Sequence, residues 1–349
     1  LQRLAKNGAA EFYEGETARR LAAEMSAHGG LISLRDLAGY RAEERAPLEG
    51  RYKGITVLTA PPSSSGGIAL LEMLGILEGT GYERHGLSSA AAIHYQAEAM
   101  RRAYADRNEY LGDPDFVDNP IARLLDRTYL ARLRATIDPE RATPSRDVRP
   151  GLAPRSEQEQ TTHFSVVDRW GNAVAVTYTL NGGFGNGITV PGLGFLLNNE
   201  MDDFASKPGT ANMFGLVQGE TNAIAPGKRP LSSMAPTMLV RDGRLFMTAG
   251  APGGSRIPTA VLQVILNVVD FEMNVQDAID APRVHHQWLP DRLSLERGIS
   301  PDTVALLRAR GYEVDDSPGV VLAQVAAIVS ADGWLQGASD GRSAAGKAV

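Results

Sequence analysis

At residue 160 this sequence changes character, and the change limits the architectures open to it. Upstream, helical patterns dominate. Residues 16–25 carry Ala, Leu, Glu and Arg at helical spacing and stop at His28-Gly29-Gly30. Ser33 followed by Asp36 predicts a capped start for a short helix ending near Tyr40. Residues 51–58 read as a strand running into Pro61-Pro62-Ser63-Ser64-Ser65-Gly66-Gly67, with helices over 68–77 and 88–110. Residues 137–160, rich in Pro, Arg, Ser and Gln, read as an exposed connector. Downstream, 161–167 and 173–180 are strand-like runs around Asp168-Arg169-Trp170-Gly171-Asn172, a hairpin pattern. Strands are predicted again at 238–240, 245–248, 323–329 and 334–337. Helices are predicted at 257–269, with Pro258 in the first turn, and at 300–310 before Gly311. Helices first, strands next, then the two interleaved predict an α+β layered domain with two sheets covered by helices.

Composition narrows the chemistry. Acidic residues outnumber basic ones 41 to 35, a net charge of −6, whereas a nucleic-acid binder usually shows a basic surplus. There is no cysteine, which removes disulfides, thiolate metal sites and a thiol nucleophile together. Catalysis must then use oxygen nucleophiles, carboxylates or the six histidines. No apolar run reaches membrane-spanning length; the longest, 68–77, is broken by Glu72 and Gly75. The first residues, Leu1-Gln2-Arg3-Leu4-Ala5-Lys6, lack Met and an apolar signal core, so the chain reads as mature, processed or truncated.

Familiar site motifs are absent: there is no P-loop, no HExxH and no GxSxG. Gly183-Phe184-Gly185-Asn186-Gly187 has the wrong spacing for a dinucleotide loop. His285-His286 has no companion at metal-ligand spacing and reads as structural. Asp113-Pro114-Asp115-Phe116, after Asp106 and Glu109, reads as a helix end and turn in preference to a cation site.

What stands out is Gln160-Thr161, where the polar connector meets a strand. An autoprocessing N-terminal nucleophile needs this layout: the Thr hydroxyl attacks its own preceding carbonyl, the peptide shifts to an ester as the C–N bond breaks, and hydrolysis frees a Thr whose α-amine can serve as base. An ordinary loop-to-strand junction gives the same layout. If the hairpin pairs residue i with residue 340 − i, Thr161 lies across from Thr179 on one face, and a one-residue slip would separate them. Asn181 then leaves the strand beside them. Glu200, Asp202 and Asp203 form an acidic cluster flanked by Leu196, Leu197, Met201 and Phe204, suited to an ammonium group where it is held in a cleft. Ser232 and Ser233 offer hydroxyls to a carboxylate. Gly253-Gly254 precede the helix at 257–269, where bare backbone N–H groups suit an oxyanion.

That set, in that order, resembles the γ-glutamyltranspeptidase family, also called γ-glutamyltransferases or glutathione hydrolases. The matching segments are TTHFSVVD at 161–168, GNAVAVTYTLN at 171–181, GFLLNNEMDDF at 194–204, KRPLSSMAPT at 228–237 and GAPGGSRI at 250–257. PPSSSGG at 61–67, YADRNEYLGDPDF at 104–116 and APRVHHQWLPD at 281–291 match as well, so the resemblance covers nearly the whole chain. It implies the four-layer αββα sandwich of N-terminal-nucleophile hydrolases, N-terminally truncated here relative to the family. Residues 1–160 are then the end of a large-subunit region and 161–349 a small-subunit region, joined as a heterodimer after self-cleavage.

By the same resemblance Thr161 is the nucleophile, exposed by cleavage after Gln160, and Thr179 supports processing and activates it. Asn181, Glu200 and Asp203 hold the substrate's α-amino group, Ser232 and Ser233 its α-carboxylate, and Gly253 and Gly254 supply oxyanion-hole amides. The implied reaction is two-step acyl transfer from glutathione and other γ-glutamyl amides through a Thr-linked ester to water, acceptor amino acids or peptides, with no cofactor and no metal. A periplasmic or secreted setting is expected. Family precursors also carry an upstream Arg for the α-carboxylate that no residue of this chain matches. Within a lid over 206–219, Phe214 stands where many bacterial members have a Tyr that latches onto Asn181; a looser lid and more hydrolysis relative to transfer are expected. Two alternatives remain at this point: an acylase of the same fold acting on glutaryl or cephalosporin-type amides, and an uncleaved inactive homologue or fragment.

Overall fold

The computed structural model describes residues 1–148, 161–331, 333–343 and 346–349. In chain order its strands are β1 (Leu48–Tyr52), β2 (Ile55–Thr59), β3 (Thr162–Val167), β4 (Ala173–Tyr178), β5 (Thr237–Arg241), β6 (Arg244–Gly250), β7 (Val284–His285), β8 (Leu293–Leu295), β9 (Val314–Asp315), β10 (Ala326–Ala331) and β11 (Trp334–Ser339). A six-stranded sheet runs β1-β2-β5-β6-β10-β11, β3 and β4 form a separate hairpin, and β7-β8-β9 make a small third sheet.

The single strand expected over 51–58 is two strands. Lys53 and Gly54 both take left-handed backbone (φ 45° and 84°), the two-residue reversal that matches strand twist, so Tyr52 pairs with Ile55. Asp242-Gly243 does the same between β5 and β6. The third sheet went unread because runs of two or three residues carry no period.

Helices Gly66–Leu77 and Ile257–Val269 form the apolar centre of the main core; nearly every residue of the first and 257–267 of the second are buried. A short, almost uniformly apolar helix is stable only when covered on all sides. The 21-residue helix Ala90–Tyr110 lies against Gly66–Leu77. Among the described residues no helix is long and apolar enough to cross a membrane.

The β3–β4 hairpin packs on β6 and β10. Its period-two pattern turns His163 and Ser165 toward that sheet, while Phe164, Val166, Val174 and Tyr178 face outward and are exposed. The fit is close at Gly250, where an added Cβ would lie 2.2 Å from the His163 ring. Gly250→Ala is therefore expected to destabilise the fold by about 1–3 kcal/mol. His163→Ala in the same chain should restore part of that loss. Thermal unfolding checks both, and an unchanged midpoint in the single variant would refute the packing.

The connector expected over 137–160 is exposed over 138–141, as expected, but docks against the fold at Ser145. Ser145 is buried: its N–H donates to Asp291 Oδ2 (2.7 Å) and its hydroxyl to Trp288 O (2.5 Å). Trp288 Nε1 donates to Ser145 O (2.9 Å) and Val148 O (2.8 Å). Polar composition hid a docked segment whose partners lie 140 or more positions away. Gln160 lies outside the described residues.

Candidate active site

The hairpin register brings the two threonines together. Thr162 pairs with Tyr178 and His163 with Thr177, so one step further Thr161 faces Thr179. Thr161 Oγ1 donates to Thr179 Oγ1 at 3.3 Å. Thr179 Oγ1 also accepts the Asn181 backbone N–H (2.7 Å), and Asn181, buried with φ 70°, turns the chain inward there. Asn181 Nδ2 donates to Asn199 O (3.2 Å) and reaches Met213 Sδ (3.6 Å). His163, two residues along, lies 2.8 Å from Thr177 Oγ1 and 3.1 Å from Ser165 Oγ; burial pushes its pKa down to about 4, so it is neutral.

The acidic cluster forms a single turn, Glu200–Asp203. Asp203 is buried, and its backbone oxygen is held by Asn222 Nδ2 (2.7 Å) and Gln218 Nε2 (3.2 Å). Burial pushes the Asp203 carboxyl up to about 8, with the Glu200 charge adding to the rise, and burial pushes Glu200 up to about 7. Glu200 Oε1 is buried without a hydrogen-bond partner. Two neighbouring carboxyls whose ionisation burial disfavours suit recognition of a cation. Asp202 instead accepts the Met213 N–H (2.9 Å), tying the 206–219 segment to this turn.

Ser232 and Ser233 are positioned by the Pro61–Gly67 stretch. Ser65 N donates to Ser232 O (2.8 Å), Ser232 N to Ser63 O (3.0 Å) and Ser64 Oγ to Met234 O (2.6 Å). Gly253 and Gly254 have φ of 140° and 49°, conformations an L side chain resists, and Gly254–Arg256 runs directly into the Ile257–Val269 helix. The turn is braced from behind: Tyr104 OH donates to Ser255 O, and Ser255 Oγ to Gln287 Oε1 (2.7 Å). Gln287 Nε2 in turn donates to Phe214 O (2.8 Å). Phe214 shares a buried apolar cluster with Tyr104, Leu216, Trp288 and Leu289, which anchors the 206–219 segment, while Met213 Sδ reaches Asn181 Nδ2.

One small cavity is lined by Thr161, Thr179, Asn181, Asp203, Ser232, Ser233 and Gly254, together with Phe214, Met234 and Ile257. A wider cleft of about 830 Å³ meets it at Thr161, with Gly253, Arg256, Asp315, Ser317 and Gln324 among its walls. Thr161 is thus the junction of both spaces. Of the expected residues, Glu200 lies outside both linings and Gly253 faces the cleft alone.

Other sequence features resolve as framework. Asp113 O accepts the Phe116 N–H in a turn (3.0 Å), and its Oδ2 accepts the distant Arg229 N–H (2.7 Å). His285 lies 2.8 Å from Thr259 Oγ1 and 2.9 Å from Gln287 Oε1; His286 accepts the Trp288 N–H (3.0 Å). Among the described residues no group of three or more His, Asp or Glu is placed to hold a metal ion. Sequence reasoning missed Arg107, Gln287 and Trp288. Their signal was a cation inside a helix otherwise full of buried positions, and a polar run beside an aromatic in the 281–291 segment.

Solved structures share this fold. Cephalosporin acylase from Bacillus halodurans superposes with a TM-score of 0.83 at 28% identity, over 99% of this chain and 60% of that one. A mutant of Helicobacter pylori gamma-glutamyltranspeptidase superposes with a TM-score of 0.50 at 50% identity; all of that solved chain matches 52% of this one. The fold is that of the N-terminal-nucleophile hydrolases. Within that class, the gamma-glutamyltranspeptidase family profile matches residues 1–349, and the glutathione hydrolase proenzyme of Escherichia coli (strain K12) is 51% identical over 98% of this chain. The chain belongs to the gamma-glutamyltranspeptidase family. It spans 59% of the length of that relative.

Proposed function

We propose that this chain is the catalytic part of a γ-glutamyl transferase and glutathione hydrolase that matures by cutting itself between Gln160 and Thr161. The observation that carries the reading is the convergence of Thr161, Thr179, Asn181, Asp203, Ser232, Ser233 and Gly254 on one cavity. Cleavage divides the chain into pieces of 160 and 189 residues (349 − 160 = 189), the two subunits of a heterodimer. The described first half of the connection between them, 137–148, is held by the Trp288 contacts to Ser145 and Val148.

After cleavage the Thr161 hydroxyl attacks the γ-carbonyl carbon, passing its proton to the freed α-amine. The oxyanion accepts the Gly253 and Gly254 N–H groups at the helix start, and the departing amine takes the proton as the C–N bond breaks. Water or an acceptor amine, entering through the wider cleft, then attacks the ester carbon and returns Thr161 to its hydroxyl form. Asp203 and Glu200 take the substrate's ammonium and Ser232 and Ser233 its carboxylate, fixing the γ-carbonyl by two-point recognition. No cofactor or metal enters the scheme. The setting this reading carries is periplasmic or secreted.

The test is intact mass of the purified full-length protein with a γ-glutamyl substrate. Two pieces separated at Gln160–Thr161, with a glutamyl ester on Thr161, are expected. One uncut chain without turnover supports an inactive homologue. The raised carboxyls add a pH signature: an ammonium ligand needs them ionised, so binding releases protons and strengthens as pH climbs through 7 and 8. KM for γ-glutamyl p-nitroanilide is expected to fall about tenfold from pH 6 to 8, with no such fall for the glutaryl compound. A flat γ-glutamyl profile would contradict the assignment of these carboxyls.

A further inference from the structure

The Arg107 guanidinium lies in the helix Ala90–Tyr110, 1% exposed, behind the paired serines. Its Nε donates to Ser65 Oγ (3.0 Å), Nη1 to Asn108 Oδ1 (3.0 Å), and Nη2 to Leu231 O and Ser233 Oγ (both 3.3 Å). Each of these acceptors is neutral. Burial pulls the guanidinium down to about 10, which leaves it fully charged at neutral pH. The Asp203 charge acts on it only at longer range, and burial raises that carboxyl to about 8. A buried cation with neutral partners is costly unless something anionic completes it.

The hydrogen bonds show where that anion belongs. A serine hydroxyl has one proton to donate, and a carboxylate only accepts. Ser233 Oγ already accepts from Arg107, so its own proton is directed elsewhere, and Ser233 lines the cavity with Thr161 and Asp203. Ser232 Oγ likewise accepts the Met234 N–H (3.2 Å), freeing its proton for the same cavity. Ser65 links the two: its Oγ accepts from Arg107 and donates to Ser232 O (2.7 Å).

We propose that Arg107 is a positioning residue for recognition of the substrate's α-carboxylate, holding Ser233 as an outward donor and placing an uncompensated positive charge behind the serine pair. The inference rests on the γ-glutamyl reading and gives the 61–67 and 104–116 segments a shared role. The guanidinium never touches the substrate; it acts through Ser233 and, by way of Ser65, Ser232.

The experiment uses the full-length, self-processed protein with two probes: γ-glutamyl p-nitroanilide and the same compound with its α-carboxylate converted to a carboxamide. Wild type should prefer the carboxylate. Arg107→Lys and Arg107→Met should lower kcat/KM for the carboxylate probe about tenfold or more and for the carboxamide far less, collapsing the ratio. Ser233→Ala should cost less in an Arg107→Met background than alone, because the two act as one unit. If neither Arg107 variant folds and processes, Ser65→Ala, which removes one acceptor from the guanidinium, should shift the ratio in the same direction. Equal losses on both probes, or additive effects, would overturn the proposal while leaving the γ-glutamyl reading intact. A processed wild type that turns over neither probe overturns that reading, and this inference with it.

Discussion

Replacing Thr161 with alanine is expected to leave the full-length protein uncut and to lower γ-glutamyl turnover by about four orders of magnitude or more. The size follows from the proposed reaction: Thr161 lines both the small cavity and the wider cleft, where donor and acceptor would have to meet. The nearby Thr179 hydroxyl cannot replace it: it accepts from Thr161 and from the Asn181 N–H, and lies on the cavity side alone. Thr161→Ser, which keeps the nucleophilic oxygen, should still be cut. Gel electrophoresis under denaturing conditions reads cleavage directly, and two bands in Thr161→Ala would remove this residue from the mechanism.

Asp203→Asn is expected to raise KM for γ-glutamyl p-nitroanilide about a hundredfold while leaving turnover of the glutaryl analogue little changed. An amide cannot carry the charge an ammonium needs, and the exchange is made in a buried site where a lost charge-assisted bond is costly. Glu200→Gln should cost less, because Glu200 lies outside the cavity lining. Its effect should appear on the pH axis: removing its charge relieves part of the rise in Asp203, so the fall in KM moves to lower pH. These ratios also separate the γ-glutamyl reading from an acylase reading, since a glutaryl group has no ammonium. Equal losses on both substrates in Asp203→Asn would show that Asp203 supports the fold and reads no charge.

Much of the site was legible before folding because its parts sit at places where sequence is most informative. The Thr161–Thr179 pairing needed only a hairpin and its turn length, since period-two alternation leaves two faces and one register that buries His163 and Ser165. Gly253-Gly254 were legible because left-handed backbone before a helix calls for residues without Cβ. The same local logic failed at Lys53-Gly54, where a turn was hidden inside an apolar run, and at 137–148, where polar composition masked docking against Trp288 and Asp291.

The sequence alone determined the longer helices and most strands of the large sheet, the hairpin that presents Thr161, and which residue types were available for an ammonium, a carboxylate and an oxyanion. The tertiary structure decided which of them share a space. It joined Asp203, Ser232, Ser233 and Gly254 to the two threonines, set Glu200 behind them, gave Phe214 a packing role and placed Arg107 against Ser233. The physical reason is range. Turn chemistry and strand period act over a few residues and are written locally. Desolvation of Asp203 and the hydrogen bond from Arg107, 126 positions from Ser233, exist only once distant segments exclude water together.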